Sequence, residues 1–283
     1  MFGRFLNKAC IIRNPLQDLT AEGRARKPWN LCTVDQVEDV KALVKVVPIW
    51  STGIMMGVNM SQGSFLVLEA SSMDRHITSN FEIPAGSFMS FMIVSLVLWV
   101  IIYDRILVPV ASKIRGYPTR MGAKQKIGLG LLTSCAAIAS LAIVESIRRK
   151  IATEEGYSDE AEAVVKMSAL WLLPRQILNG LAEGSTVIGN NEFFLTELPR
   201  SMSSLASTLS GLGSSVANLV ASFILSVVER ASGGGGHESW VSSNINKGHY
   251  DYYYSLICAL CFLNYIYFLY CSKSYGPCKD RRK

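Results

Sequence analysis

The chain has 283 residues, 49% of them apolar and 18% charged, with a formal net charge of +6, and its charges gather between long uncharged stretches. That segregation excludes an ordinary soluble domain, and with no basic patch on a soluble fold the positive charge gives no nucleic-acid partner. The seven cysteines make no disulfide framework: Cys135, Cys258, Cys261 and Cys271 fall in apolar stretches, and Cys10, Cys32 and Cys278 fall in segments read as cytosolic, where thiols stay reduced.

Residues 1–41 are polar and basic and lack an apolar core, so no signal peptide is expected and this segment reads as a cytosolic linker or lead-in. Thr33, followed three residues later by Gln36, predicts a capping box that opens a helix into the first span. Crossing about 30 Å of hydrocarbon at 1.5 Å per residue takes about 20 residues. Six segments meet that length, at about 43–68, 85–110, 126–146, 166–191, 201–228 and 250–272, followed by a basic cytosolic tail at 273–283. The first span carries Pro48, Gly53, Gly57, Asn59, Gln62 and Gly63 and is expected to be bent and partly polar. Gly116-Tyr117-Pro118 marks a turn between the second and third. The expectation is an all-α membrane protein whose 42–272 region is a six-helix bundle.

Loop charge gives an independent reading, because Lys and Arg concentrate on the cytoplasmic side. With the N-terminus inside, the inner segments hold 19 basic residues and the outer loops 7. Both termini are therefore expected in the cytosol, and the protein in the membrane with the lipid bilayer as its surroundings.

No arrangement of residues reads as catalytic or metal-binding, and no cofactor is implied; the chain does not read as an enzyme. His76, His237 and His249 all fall in outer loops, which removes an intramembrane histidine relay or triad. Cys258 and Cys261 have metal-like spacing but no second pair, and read as small packed side chains. Gly233–Gly236 lacks the Lys-Ser/Thr of a phosphate loop and reads as a flexible connector.

The fifth span places Ser204, Thr208, Gly211, Ser215, Asn218 and Ser222 on one face at spacings of three and four, suited to close helix packing or to a partly open cavity. The fourth span is the most informative. Taking Arg175 as zero, Thr186 lies at about 20°, Asn179 at 40°, Asn190 at 60° and Glu183 at 80°, one polar stripe, while Leu170, Ile177, Leu181 and Ile188 lie at about 200–240°. Ionisable residues are costly inside a bilayer, so the stripe either lines water or makes structural polar contacts. Counted from Met167, Arg175 lies about 12 Å along the helix and Glu183 about 24 Å. Arg175 could then reach outward, whereas Glu183 must face water, a partner or a proton. Glu183, Asn179, Arg175, Thr186, Asn190, Asn59 and Gln62 are the candidates for a substrate and proton pathway.

Several runs together carry a resemblance: Val47-Pro48-Ile49-Trp50-Ser51-Thr52-Gly53, Met73-Asp74-Arg75-His76, Phe81-Glu82-Ile83-Pro84-Ala85-Gly86-Ser87, Tyr103-Asp104-Arg105, Met167-Ser168-Ala169-Leu170-Trp171, Gly180-Leu181-Ala182-Glu183, Leu198-Pro199-Arg200-Ser201-Met202-Ser203-Ser204, and residues 240–254. Through most of its length the chain resembles the plant nitrate/peptide transporters, in the proton-dependent oligopeptide branch of the major facilitators. The resemblance implies the C-terminal half of a twelve-span fold in which solute sits between two six-span bundles. It further implies a proton-coupled symporter for a small solute (nitrate, a di- or tripeptide or a plant metabolite), with protons and the missing N-terminal six-span half as partners. Plasma membrane ranks ahead of vacuolar membrane as its location. Glu183 matches the family's acidic position lining the cavity. Pro174-Arg175-Gln176 departs from the usual Pro-Gln-aromatic, Gly184-Ser185 replaces a more usual Ala-Phe, and Met60 stands in the span where some nitrate carriers place a histidine. The second reading is a truncated, non-transporting membrane protein that at most associates with other bundles.

Overall fold

The computed structural model describes residues 6–11, 31–117, 120–234 and 239–276. Most of the lead-in, Pro118, Gly235, Gly236, His237, Cys278 and most of the basic tail lie outside them. The chain forms helices α1 (Val34–Ser61), α2 (Gly63–Ser71), α3 (Phe88–Ile102), α4 (Val108–Arg115), α5 (Ala123–Glu154), α6 (Leu173–Glu197), α7 (Ser203–Ser232) and α8 (Tyr250–Tyr275). Among the described residues, five helical segments are long and apolar enough to cross a membrane: Val34–Ser71, Ala85–Arg115, Ala123–Glu154, Ser207–Ser232 and Tyr250–Tyr275. Helix α6, at 25 residues, has the length but is diluted by its polar stripe.

The predicted cap opens α1: the Gln36 N–H donates to Thr33 Oγ1 at 3.3 Å and the Thr33 N–H to Gln36 Oε1 at 3.0 Å. Pro48 sits inside a continuous α1. The interruption comes at Gln62, between α1 and α2. There the Ser61 hydroxyl donates to Val58 O at 2.7 Å, the Gln62 side chain to the same carbonyl at 2.9 Å, and the Ser64 hydroxyl to Ser61 O at 2.7 Å. Side chains take carbonyls that the helix ladder would otherwise use, which loosens a turn.

Helices α3, α6, α5, α8, α1 and α7 pack in that neighbour order, with α6 and α7 meeting only weakly. Helix α3 is apolar all round and exposes Met89, Ile93, Val94, Val97, Leu98 and Ile101, as lipid contact requires. Helix α5 is the central one, with Ile127, Leu131, Ile138 and Leu141 buried. Glycines allow the closest approaches. A Cβ on Gly180 of α6 would lie 2.5 Å from Met92 O of α3, and one on Gly130 of α5 2.8 Å from Ala182 O of α6, so these backbones touch only because the side chains are absent. The aromatic α8 faces both ways: Tyr253, Tyr254 and Phe268 are buried, Tyr252, Phe262 and Tyr270 exposed.

Several boundaries differ from the sequence reading. Helix α6 runs Leu173–Glu197, about one turn or more later at both ends than 166–191. Val165–Ser168 is instead a strand, parallel to Met73–Asp74, and 169–172 a short 3-10 turn. Met73–Asp74, His76–Thr78, Phe81–Glu82 and Val165–Ser168 are small strands outside the bundle, where backbone beyond the helices must pair with itself. Helices α5 and α7 reach Glu154 and Ser232, past the expected span ends at 146 and 228.

The three segments read as outer loops meet at one end of the bundle. Val165 N–H donates to Ser72 O at 2.9 Å, Asn244 Nδ2 to Ser158 O at 3.2 Å and Asn246 Nδ2 to Glu160 O at 2.9 Å. The opposite end gathers the segments read as inner: Tyr275 donates to Glu197 at 2.7 Å, Ser201 to Asp39 at 3.1 Å, and Lys124 to Ser272 O at 3.0 Å. Six helices alternating between two ends account for this arrangement.

Candidate functional site

Where α6 and α7 diverge, a cavity of about 610 Å³ opens between α1, α6 and α7. Helix α1 supplies Trp50, Met56 and Met60; α6 supplies Glu183, Thr186, Val187 and Asn190; α7 supplies Ser207, Ser210, Ser214 and Asn218. Trp50 pins one wall, its indole N–H donating to Leu209 O at 2.7 Å. The Glu183 carboxyl is partly buried and makes no hydrogen bond or ion pair with the described residues. Thr186 Oγ1 is buried without a partner. The cavity thus presents a carboxylate, a free hydroxyl and the amides of Asn190, Asn191 and Asn218 on partly apolar walls, the composition of a small-solute site.

The predicted stripe on the fourth span is split. Glu183, Thr186 and Asn190 reach the cavity; Asn179 and Arg175 turn into the bundle. Asn179 Oδ1 accepts from Asn59 Nδ2 at 3.4 Å, and Asn59 also donates to Ser134 Oγ at 2.8 Å, a buried polar joint between α1, α5 and α6. Gln62, 2% exposed, spends its amide on its own helix. Neither Asn59 nor Gln62 is among the residues lining the cavity.

Arg175 does not reach outward. It is the third residue of α6 and 1% exposed, because the helix starts at Leu173 and not near Met167. The same shift puts Glu183 about 15 Å into the helix instead of 24 Å, close to its middle. The Leu170 and Ile177 side of this segment is exposed, as the wheel places it.

On the fifth span Asn218 lines the cavity, beside Ser207, Ser210 and Ser214 on an adjoining stripe. Ser204, Thr208, Gly211, Ser215 and Ser222 are exposed. The Thr208 and Ser215 hydroxyls donate to the carbonyls four residues back at 3.1 Å, so this face is satisfied without a neighbour.

A cluster of buried charge at the end that gathers the segments read as outer loops escaped the sequence reading. Arg148, 0% exposed, grips Glu145 with two parallel bonds of 2.7 and 2.8 Å and donates to Asn246 Oδ1 at 2.6 Å and Ile245 O at 3.0 Å. Nearby, the Tyr254 hydroxyl of α8 donates to Glu69 Oε1 of α2. The i,i+3 spacing of Glu145 and Arg148 is the signal that could have shown the pair; its place just past an apolar stretch hid it among loop charges. Farther out, Arg149 Nη2 donates to His249 Nε2 at 2.9 Å while the His249 ring stacks on Tyr252 at 4.7 Å. Burial, and then the Arg149 charge, hold His249 below its ordinary value. No group of three or more His, Cys, Asp or Glu among the described residues could hold a metal ion.

The profile of the POT family matches residues 7–241. Two Arabidopsis thaliana proteins, NRT1/PTR FAMILY 1.2 and 1.1, are 54% and 55% identical over 281 and 280 residues, 98% of this chain and 46% and 47% of theirs. Two solved structures share the fold. An auto-inhibited POT family peptide transporter matches at TM-score 0.63 and 17% identity over 87% of this chain and 44% of that one. The POT family transporter PepTSo matches at 0.59 and 18% over 86% and 43%. The chain spans about half the length of the curated relatives it matches, and its fold is a six-helix half of these transporters, in a multi-pass membrane protein.

Proposed function

Because this chain belongs to the POT family, we propose that it forms the C-terminal half of a proton-coupled symporter and supplies one wall of its solute site. The observation that carries the reading is the cavity between α1, α6 and α7 with the unpaired Glu183 near mid-helix. Nothing in the described bundle balances that carboxylate, so its counter-charge is a proton, a cationic group of the solute, or a residue of a second bundle across the cavity. The solute is small: nitrate, a di- or tripeptide, or a plant metabolite. Asn190, Thr186 and Asn218 supply its neutral polar contacts. Asn59, Gln62, Asn179 and Arg175 support the wall from behind. Both termini lie in the cytosol, and the plasma membrane is the site of action.

The second reading is a non-transporting membrane protein that at most associates with other bundles. Uptake in oocytes separates the two. Proton-driven accumulation is expected when the chain is joined to a six-span N-terminal half from a relative, and not from the chain alone. If the joined protein reaches the surface yet carries none of nitrate, dipeptides or a panel of plant metabolites, the symporter reading is wrong.

A further inference from the structure

Helix α3, the π-helical turn Tyr103–Leu107 and α4 run on without a break, and one apolar stripe stays exposed along them, through Met89, Ile93, Val97, Ile101, Val110 and Ile114. The other side packs inward, with Tyr103 buried and the Trp99 indole donating to Ser185 Oγ of α6 at 2.8 Å. From Met89 to Ile114 the stripe rises about 37 Å, or about 35 Å along the bilayer normal at the usual tilt of about 20°. Both exceed the roughly 30 Å of hydrocarbon. Helix α3 begins beside the small strands outside the bundle, so the excess emerges at the far end, in α4. Ile114 is 80% exposed and Tyr117 59%.

The charge pattern changes at the same place. Residues 105–144 hold six basic side chains and no acid. Two of the six are engaged inside the bundle: Lys126 pairs with Glu192 at 2.5 Å, and Lys124 donates to Ser272 O at 3.0 Å. Arg105, Lys113, Arg115 and Arg120 are exposed and make no ion pair with the described residues. Lys113 and Arg115 flank Ile114, and Gly116, at φ 73°, then ends the helix. Asp104, exposed beside Arg105, is the one acid between Glu82 and Glu145.

We propose that the 105–117 segment is a binding surface for anionic phospholipid, with its apolar side chains against the acyl chains and its cations on the phosphates of the leaflet at that end of the bundle. A long basic side chain beside an apolar one at the bilayer boundary buries its stem and holds its charge among the headgroups. Each unpaired cation there adds attraction to an anionic surface. A soluble anion would match the cations and leave Ile114 and Tyr117 in water; a neutral lipid would cover those two and leave the charges unmatched. Anionic lipid meets both demands, and the stripe joins the lipid face of α3 without a gap.

The test uses the 283-residue chain purified in detergent. Phosphatidylglycerol or phosphatidylcholine with the same acyl chains is titrated in, and the first bound lipid is followed by native mass spectrometry. The parent is expected to bind phosphatidylglycerol at least about tenfold more tightly, and Arg105→Gln/Lys113→Gln/Arg115→Gln to bring the two lipids within about twofold, each charge being worth about fivefold. Ile114→Asn is expected to weaken both lipids by about threefold or more. Lys150→Gln, which removes an exposed cation at the far end of α5, should keep the parental ratio. The three substituted cations make no ion pair in the described bundle, so the triple variant is expected to melt within about 2 °C of the parent. Should it fail to accumulate, Lys113→Gln alone must lower the ratio about fivefold. A parent without preference, a triple variant that retains it, or an Ile114→Asn protein that binds both lipids as the parent does overturns the proposal. So does binding of glycerol 3-phosphate with the same dependence on the three cations, which would make this a site for a soluble anion. The titration is repeated on the chain joined to a six-span N-terminal half: a preference that persists supports the proposal, and its loss would show that protein and not lipid covers this face. No readout depends on transport, so the proposed function stands or falls separately.

Discussion

Gly57 of α1 and Ala217 of α7 lie so close that a Cβ built on Gly57 would meet the Ala217 Cβ at 2.5 Å. This contact fixes how near α7 stands to α1, and hence the width of the cavity between them. Both atoms of the clash belong to rigid parts of a side chain, so an added methyl cannot be taken up by a rotamer change. Gly57→Ala is expected to cost about 1–3 kcal/mol, read as a lower melting temperature of the purified chain. Gly57→Ala/Ala217→Gly is expected to recover most of it. A melting temperature unchanged in Gly57→Ala would show that the helices have slack at this point.

The end of the bundle at residues 239–249 should depend on Arg148 more than on any surface charge. Arg148 satisfies Glu145 and reaches two groups of the 245–246 segment, and Asn246 in turn ties down Glu160 and Ala163. Arg148→Met leaves Glu145 buried and alone, at a cost of about 3–5 kcal/mol. Lys150→Met, on an exposed pair with Glu154 of 3.9 Å, should cost under about 1 kcal/mol. Limited proteolysis adds a local readout: cleavage within 239–249 is expected to speed up in Arg148→Met and to stay at the parental rate in Lys150→Met.

Those same residues show where sequence reading reaches its limit. Hydropathy locates five of the helices because long apolar runs have no alternative but burial or lipid, and the Thr33–Gln36 cap is legible because its bonds are local. Glu69 was placed just past the first span, and Glu145 at the last turn of the third, for the opposite reason. Each stands next to an apolar stretch, and an apolar count stops at the first charge, whereas a helix continues if the charge finds a partner inside. Arg148 was counted among outer-loop basic residues yet is fully buried. The helical wheel placed Arg175, Asn179, Glu183, Thr186 and Asn190 on one face correctly as angles. It could not say that Asn59 of α1 and Ser134 of α5 close over Asn179 while α7 stands away from Glu183, Thr186 and Asn190 across the cavity, because that depends on contacts between helices distant in sequence. The start of α6 was misplaced because Met167 to Leu172 is apolar enough for a helix, and only its pairing with Met73 and Asp74 makes part of it a strand.

His249 should make the loop before α8 sensitive to acid. Arg149 donates to His249 Nε2, so this nitrogen must carry a lone pair, and a proton there would set donor against donor. Burial and the Arg149 charge hold His249 below its ordinary value of 6.5, with Asp251 opposing them. The sign follows: in the unfolded chain His249 takes up a proton near pH 6.5, while in the folded chain it resists. The folded arrangement is therefore fully favoured above that value and loses stability as the pH falls through 6.5 toward the lowered one. The melting temperature is expected to drop between pH 7.5 and 5.5 by more in the parent than in His249→Gln, which keeps an acceptor but cannot titrate. Equal drops in the two proteins would assign the acid sensitivity to other groups.

Glu183 provides the sharpest test of the cavity. Its side chain lies near the middle of α6, lines the cavity with Thr186, Asn190 and Asn218, and has no ion pair in the described bundle. A carboxylate at that depth is expensive unless water, a proton or a cation stands beside it, and a cavity open to water relieves the cost only while it is open. When the two halves of a transporter close over the solute, the charge must be met by a proton or by a cationic group, so the energy of closing depends on what occupies the site. Glu183→Gln keeps the size and the hydrogen-bonding capacity of the side chain and removes only its charge. In the chain joined to an N-terminal half, proton-driven uptake is expected to fall by about tenfold to a hundredfold, the worth of a hydrogen bond to a charged group, with surface abundance unchanged. Asn190→Ala removes a neutral contact from the same wall and is expected to cost about fivefold. Normal uptake in Glu183→Gln, alongside a severe loss in Asn190→Ala, would show that the cavity recognises its solute through neutral polar contacts and that the carboxylate carries no part of the coupling.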